Sequence, residues 1–372
     1  MIDCDYLVIG GGIAGCSVGY FLSAQARVIV LERESQPGYH TTGRSAASYT
    51  TVYGNAAIRA LTLASRSFFD SPPPGFSESR LLNPLGALFF ADQAGLPQLD
   101  ALLDDVRDPS RLVRLTGDEA RALVPVLGPQ VVAGAHEIVA RGIDIHALHQ
   151  GFIRGLRVRD GDLHTNSEVR GLVYANGSWQ VETTDAAYRA PVVINAAGAW
   201  GDTVAALAGV RPLGLQPMRR TALTFRPDDG VEIAHWPITV EIGEAFYFKP
   251  ESGLLMVSPA DETPSPPCDA QPEEMDIALA IDRLEAATSL RVRHVAHKWA
   301  GLRTFTSDRT PVAGFDPVTL GFFWLVGQGG YGIQTAPGLG QIAAALAMGK
   351  DVPPPIVDSG FRATDLAPAR LR

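Results

Sequence analysis

"YLVIGGGIAGCSVGYFLSAQARVIVLERES", residues 6–35, reads as one complete strand, turn, helix and strand. Residues 6–9 are an apolar run without alternation, the pattern of a parallel strand covered on both faces. Gly10, Gly12 and Gly15 follow with G-x-G-x-x-G spacing. In that pattern the first glycine permits the tight turn, the second lets a pyrophosphate approach the backbone, and the third lets helix pack on strand. Ile13 and Ala14 open a helix predicted over residues 13–24, with Gly19 continuing its small-residue face. Residues 28–31 predict the next strand. Glu32 closes it about 20 residues past the glycines, where a carboxylate can hydrogen-bond a ribose 2′-OH and would repel a 2′-phosphate. Together these features predict a dinucleotide-binding α/β unit and argue against NADP.

A second glycine-rich helix start lies near the other end: "GQGGYGIQTAPGLG", residues 327–340, leading into a helix predicted over 334–348. Free backbone N–H groups at such a start suit an anion or polar head group. Between the two, "ERESQPGYHTTGRSAASYTT" (32–51) is a long hydroxyl-rich loop with Gly38, Gly43 and Arg44, where a plain NAD domain would form another helix.

The chain has 372 residues, enough for about two domains. A net charge of −9 argues against nucleic acid as the main partner, while leaving room for a local basic pocket. Three scattered cysteines, Cys4, Cys16 and Cys268, fit a reducing compartment without a disulfide framework. No targeting segment or membrane-spanning run is visible. The expected location is cytoplasmic, with peripheral attachment at the inner membrane left open. His146 and His149 are three apart on a predicted helix, and His294 and His297 three apart in a predicted strand. Neither pair has a third ligand nearby, so no metal site is expected and core or solvated histidine is the reading.

Four further blocks carry a resemblance. "GRSAA" (43–47), "INAAGAW" (194–200), "WAGLRTFTSDRTPVAG" (299–314) and "GGYGIQTAPGLG" (329–340) resemble the flavin-dependent D-amino-acid oxidase superfamily over essentially the whole chain. The D-arginine dehydrogenase-like branch is the nearest that can be named. The resemblance implies FAD, which gives the two glycine loops one ligand with two ends: pyrophosphate at the first, isoalloxazine at the second. It implies a discontinuous α/β, Rossmann-like FAD domain (1–77, 143–212, 299–372) and an α+β substrate domain with a mainly antiparallel sheet (78–142, 213–298). By this resemblance the cofactor meets Gly10, Gly12, Ile13, Ala14, Gly15, Glu32, Arg33, Gly43, Arg44, Ser45, Ala46, Val169, Ala197, Gly198, Trp200, Gly301, Arg303 and Gln328, Gly329, Gly330, Tyr331, Gly332, Ile333, Gln334. No cysteine lies in the C-terminal motif, so the FAD is expected to be non-covalent.

An amino-acid substrate needs its carboxylate held, and a planar guanidinium holds one bidentately. Arg303, inside apolar "WAGLRTF", is the first candidate and Arg220 the second. Arg219 and Arg220 take opposite faces of a strand; the resemblance points to Arg220. It also assigns substrate contacts to Tyr53 and Tyr247, with Ser48 nearby. Two departures bear on specificity. The basic-substrate branch leads one to expect a His at Ser48 and an acidic residue near Ala87, and "NPLGALFF" offers none. A neutral or apolar substrate side chain follows. The implied reaction is oxidation of D-amino acids or related secondary amines to imino and 2-oxo acids. The alternatives are a glycine- or sarcosine-type oxidase using O₂, or a 2-hydroxy-acid dehydrogenase on the same fold. Relatives that use O₂ place a Lys where Met256 aligns, so a quinone or other acceptor is expected. Lys249, before Pro250, is expected at a turn in solvent.

Overall fold

The computed structural model describes residues 1–106 and 108–372. The opening unit folds as read: strand Tyr6–Ile9, helix Ile13–Leu22, strand Val28–Leu31. These strands form the middle of a six-stranded sheet, ordered Asp162–His164, Val28–Leu31, Tyr6–Ile9, Val192–Asn195, Phe322–Val326, Val312–Phe315. All pairings are parallel except the last.

Both faces of this sheet are covered, which is why its strands are unbroken apolar runs. Val8, Val28 and Val30 pack with Val18, Leu156, Leu339 and Ile342 from the helices on one side. Leu7, Ile9, Ile29 and Leu31 pack with Trp179, Val181 and Tyr188 on the other. That second cover is a meander whose hairpin joins Val169–Ala175 to Ser178–Thr183. Its turn puts Asn176 at φ 51° and Gly177 at φ 79°, the left-handed pair that Asn-Gly favours. The helix Ile145–Val158 starts where Asp144 caps it, its carboxylate accepting from the Ala147 N–H at 2.8 Å.

A nine-stranded sheet stands beside the first. Its pairings are antiparallel except Ile238–Glu241 with Ala87–Ala91. One face is closed by the helix Glu274–Ala287, whose Ile277, Ala280 and Leu284 meet Leu223, Phe248 and Val257. The other face carries Ala222, Tyr247 and Met256 toward the first sheet. One expected boundary is corrected here. The strand Val295–Phe305 pairs along the whole of Gln216–Phe225, so a cut at 298/299 would divide a strand of the second sheet. The chain leaves that sheet only after Phe305.

Candidate functional site

The two sheets face each other across one long cavity. At one end it is lined by Glu32, Arg33, Val169 and Trp200, and at the other by Arg220, Tyr247, Met256 and Arg303. Between them lie the first glycine loop (Gly10, Gly12, Ile13, Ala14), the loop Arg44 to Ala46, Ala197 and Gly198, Gly301, and the second glycine loop with Gln328, Gly329, Gly330, Gly332 and Ile333. Both helices that start here, Ile13–Leu22 and Gly332–Ala347, lack a side-chain cap at the N-cap residue. The Thr42 hydroxyl takes the Ile13 N–H of the first helix at 3.0 Å; both helix starts line the cavity, so their partial positive charge bears on it.

The glycines fit a ligand held close to backbone. Gly10 sits at φ +112° with Ala196 carbonyl oxygen 2.5 Å from where a Cβ would be, so no other residue fits that turn. A Cβ on Gly330 would lie 2.8 Å from Nη1 of Arg303, so this glycine lets the guanidinium lie against the loop. At the far end the Arg33 guanidinium stacks 4.6 Å from the Trp200 ring centroid. Glu32 is buried and accepts from the Gly11 N–H at 3.0 Å and the Glu34 N–H at 2.9 Å. Burial raises its pKa, against those two donors. An extended dinucleotide, with an acidic partner for a ribose at one end and two helix starts along it, fits this set of groups.

Four predicted cofactor residues are placed differently. Gly15, Gly43 and Tyr331 do not line the cavity. A Cβ on Gly15 would meet the Gly10 carbonyl at 1.9 Å, so its role is helix-on-strand packing. Gly43 closes a turn through its N–H to Gly38 O at 2.8 Å. Tyr331 packs behind the wall, its ring 5.1 Å from Tyr53. Gln334 has both ends of its amide engaged by protein: Oε1 accepts from Thr50 N–H at 3.1 Å and Nε2 donates to Thr62 Oγ1 at 2.9 Å. It braces the site.

A side chamber opens off the arginine end. It shares Arg220, Tyr247 and Arg303 with the long cavity and adds Ser48, Thr50, Tyr53, Ala87, Phe89, Ile238, Val240 and Glu244. All five proposed substrate residues thus meet in one place. Arg220 and Arg303 lie on adjacent strands; Arg220 is opposite Gly301 and Arg303 is opposite Met218, so the two are diagonal neighbours on one face. Arg219 points the other way, to Glu273 and to Asp276 at 3.0 Å. Arg220 is partly engaged, donating to the Asp261 carbonyl at 2.7 Å and to Glu262 at 3.1 Å. Arg303 has no carboxylate partner among the described residues; its neighbours are the Tyr247, Tyr53 and Tyr331 phenols. The two chamber tyrosines are shifted oppositely. Burial alone would raise Tyr247, but the Arg303 and Arg220 guanidiniums override it and hold its pKa below the usual tyrosine value. Burial dominates at Tyr53 and pushes it up.

The reading of the surrounding carboxylates and of Lys249 needs correction. Glu244, in the turn after Ile238–Glu241, stands at the chamber mouth and accepts from the Tyr53 hydroxyl at 3.1 Å. Glu137 lies directly across the strand pair from Ala87. Its Oε1 accepts from the Thr51 N–H and hydroxyl, each at 2.7 Å, and burial raises its pKa. Lys249 is not in solvent: it is 8% exposed, ion-paired with Glu251 at 2.6 Å and opposite Met256. Thr50, also missed, lies buried in the chamber wall with its hydroxyl unpartnered. The Gly243 turn signal was the one clue to Glu244.

None of the three cysteines lines either cavity. Among the described residues there is no cluster of metal-ligand side chains, and no helix is long and apolar enough to cross a membrane.

A family model described as FAD dependent oxidoreductase matches residues 5–346. An FAD-dependent oxidoreductase domain-containing protein 1 from Xenopus laevis is 24% identical, covering 99% of this chain and 82% of its own. A glycine oxidase from Bacillus licheniformis is 24% identical over 94% of both chains. The crystal structure of an L-proline dehydrogenase from P. horikoshii superposes with a TM-score of 0.83 at 20% identity, covering 97% of this chain and 99% of that one. These matches support the family without placing the chain in a D-arginine dehydrogenase-like branch.

Proposed function

Because the chain belongs to the FAD-dependent oxidoreductase family, we propose that the side chamber is the substrate site of an amine-oxidising member. Its substrates are D-amino acids with neutral or apolar side chains, or related secondary amines. The observation that carries this reading is Arg303, a guanidinium without a carboxylate partner where chamber and cofactor cavity join. A half-buried cation in that state, walled by phenols, calls for an anion from outside. A substrate carboxylate supplies it, held by Arg303 with Arg220 beside it.

FAD, when bound, accepts the hydride lost from the substrate Cα and supplies the redox chemistry. The protein binds, orients and excludes water. The proposed cofactor contacts are Gly10, Gly12, Ile13, Ala14, Glu32, Arg33, Arg44 to Ala46, Val169, Ala197, Gly198, Trp200, Gly301, Gln328 to Gly330, Gly332 and Ile333, bound without a covalent link. Tyr247 is placed to donate to the same carboxylate, and Tyr53 closes the wall by its bond to Glu244. Ser48 and Thr50 offer hydroxyls to the amine or to a water. Ala87, Phe89, Ile238 and Val240 form an apolar wall for the side chain. A neutral amine that loses hydride from Cα becomes an iminium; water hydrolyses it to a 2-oxo acid and ammonium, or, from a secondary amine, to the carbonyl compound and the remaining amine.

The two-domain division goes with this reading: residues 1–77, 143–212 and the part after Phe305 for the cofactor, 78–142 and 213–305 for the substrate. Met256 lines the cavity where a cation would promote reaction with oxygen, so a quinone or similar acceptor is proposed. Anaerobic mixing with a panel of D- and L-amino acids and N-methyl amines tests the reading. Bleaching of the oxidised flavin band by D-amino acids is expected. No bleaching by any α-amino acid or amine would refute it.

A further inference from the structure

His149 lies outside both cavities, on the helix Ile145–Val158, and is 5% exposed. Its Nε2 is 3.0 Å from the carbonyl oxygen of Gly11, 138 residues away in the first glycine loop. A carbonyl only accepts, so Nε2 carries the proton. The Cys16 thiol donates to the same oxygen at 3.3 Å, and the Gly11 N–H donates to Glu32 at 3.0 Å. Gly11 is therefore held at both ends of its backbone: His149 and Cys16, outside the cavity, fix its carbonyl, and Glu32, on the cavity wall, fixes its N–H.

The consequence follows from peptide geometry. In a planar trans peptide the C=O of one residue and the N–H of the next point in opposite directions. Fixing the Gly11 carbonyl toward His149 aims the Gly12 N–H away from the helix, to the side where Gly12 lines the cavity. That N–H has no acceptor among the described residues. Gly10, Gly11 and Gly12 all lack a Cβ, so nothing steric prevents this peptide from turning over. On the other side of the ring, a Cβ at Gly38 would come within 2.9 Å of Cε1 of His149. The ring thus fills the space between the glycine loop and the turn that carries Thr42, whose hydroxyl accepts from the Ile13 N–H at 3.0 Å.

We propose that His149 is a positioning residue for cofactor binding: it locks the Gly11–Gly12 peptide so that the Gly12 N–H presents to the FAD pyrophosphate. This rests on the assignment of the first glycine loop to that part of FAD. The role needs only a buried N–H donor at the reach of Nε2. It does not need the ring's charge, which burial disfavours.

The test is FAD titration of the apoprotein, followed by flavin fluorescence, for the wild type and for His149→Leu, His149→Asn and His149→Gln. Leu keeps bulk without a donor, Asn withdraws the donor toward the backbone, and Gln places an N–H near the position of Nε2. Loss of the bond leaves the Gly11 carbonyl with only the weak Cys16 thiol donor and the peptide freer to flip, so Kd for FAD should rise on the order of ten- to a hundred-fold in Leu and Asn. Gln should stay within about threefold of the wild type, since one donor replaces another. The apoprotein Tm of Asn and Gln should be alike. Should the Leu variant fail to fold, the Asn and Gln pair carries the test. Equal weakening in Asn and Gln, or a Kd unchanged in both, would overturn the proposal. A wild-type apoprotein that binds no FAD would instead remove the assignment beneath it.

Discussion

Arg303→Met removes the charge at the junction of cofactor cavity and chamber while keeping an unbranched apolar stem. The guanidinium lies against the second glycine loop among phenols, with no carboxylate ion-paired to it among the described residues. In the free enzyme it therefore gives up no ion pair. With substrate bound, the change removes up to two charge-assisted hydrogen bonds and leaves a buried carboxylate short of partners. Hydrogen bonds to charged groups contribute about 1.5–3 kcal/mol each. Arg220 remains, but Asp261 and Glu262 already draw on it, so it compensates only in part. The expected loss is about 2–5 kcal/mol in transition-state stabilisation, roughly 30- to 5,000-fold in kcat/KM. FAD content should be unchanged. The variant should melt no earlier than the wild type, because an unpaired, half-buried cation is a stability cost accepted for function. The assay is dye-linked steady-state kinetics on the best substrate from the panel, with flavin absorbance per protein measured alongside. A kcat/KM within threefold of the wild type would refute the reasoning. Loss of FAD in step with activity would show that Arg303 serves the cofactor and not the carboxylate.

Four further outcomes are expected. Burial lowers the pKa values of His149 and, in part, of His136 below the usual histidine value. The native chain takes up protons at these histidines only at lower pH than the unfolded chain, which does so near the ordinary value of about 6.5. Their stabilising contribution is whole above that pH and is lost as pH falls, so Tm should decline from pH 7 to 5, less steeply in His149→Gln; parallel curves would refute this. Side-chain preference is checked by kcat/KM for D-Leu, D-Phe, D-Met and D-Pro against D-Arg and D-Lys; a D-Arg preference would mean that Glu244 or Glu137 holds a cation despite its present partners. Substrate-bleached enzyme should regain its colour slowly in air and quickly with a quinone, and Met256→Lys should speed the return in air, as stopped-flow absorbance will show; fast recovery of the wild type would make the protein an oxidase. Acid precipitation should leave a yellow supernatant, and colour retained in the pellet would reveal a covalent link.

The parts of this architecture that local chemistry determines were legible in the chain. Glycine spacing, the Asp144 cap and the Asn176-Gly177 turn are each settled within a few residues, and each stands where expected. What the chain hid depends on neighbours across strands. Alternation alone separated Arg219 from Arg220, but only the acids of the Glu274–Ala287 region identify which face is which. Ala87 read as having no acidic neighbour because Glu137, its partner across the strand pair, is 50 residues away in sequence. His149 read as a core histidine, which it is; that its donor reaches the glycine loop needs the helix laid against that loop. Lys249 shows the same limit in one strand. Pro250 suggested a turn, but the strand Tyr247–Glu251 runs through it, and the chain reverses at Ser252 and Gly253, with φ of 50° and 79°. That two-residue shift puts Lys249 on the buried face opposite Met256. Its ammonium is matched by Glu251, so the pair brings no net charge to that wall. Met256 and this neutralisation together leave the wall without a free positive charge, and Glu251→Gln is the substitution that separates them: if uncompensated charge at Lys249 is what reaction with oxygen requires, that change alone should quicken the return of colour in air.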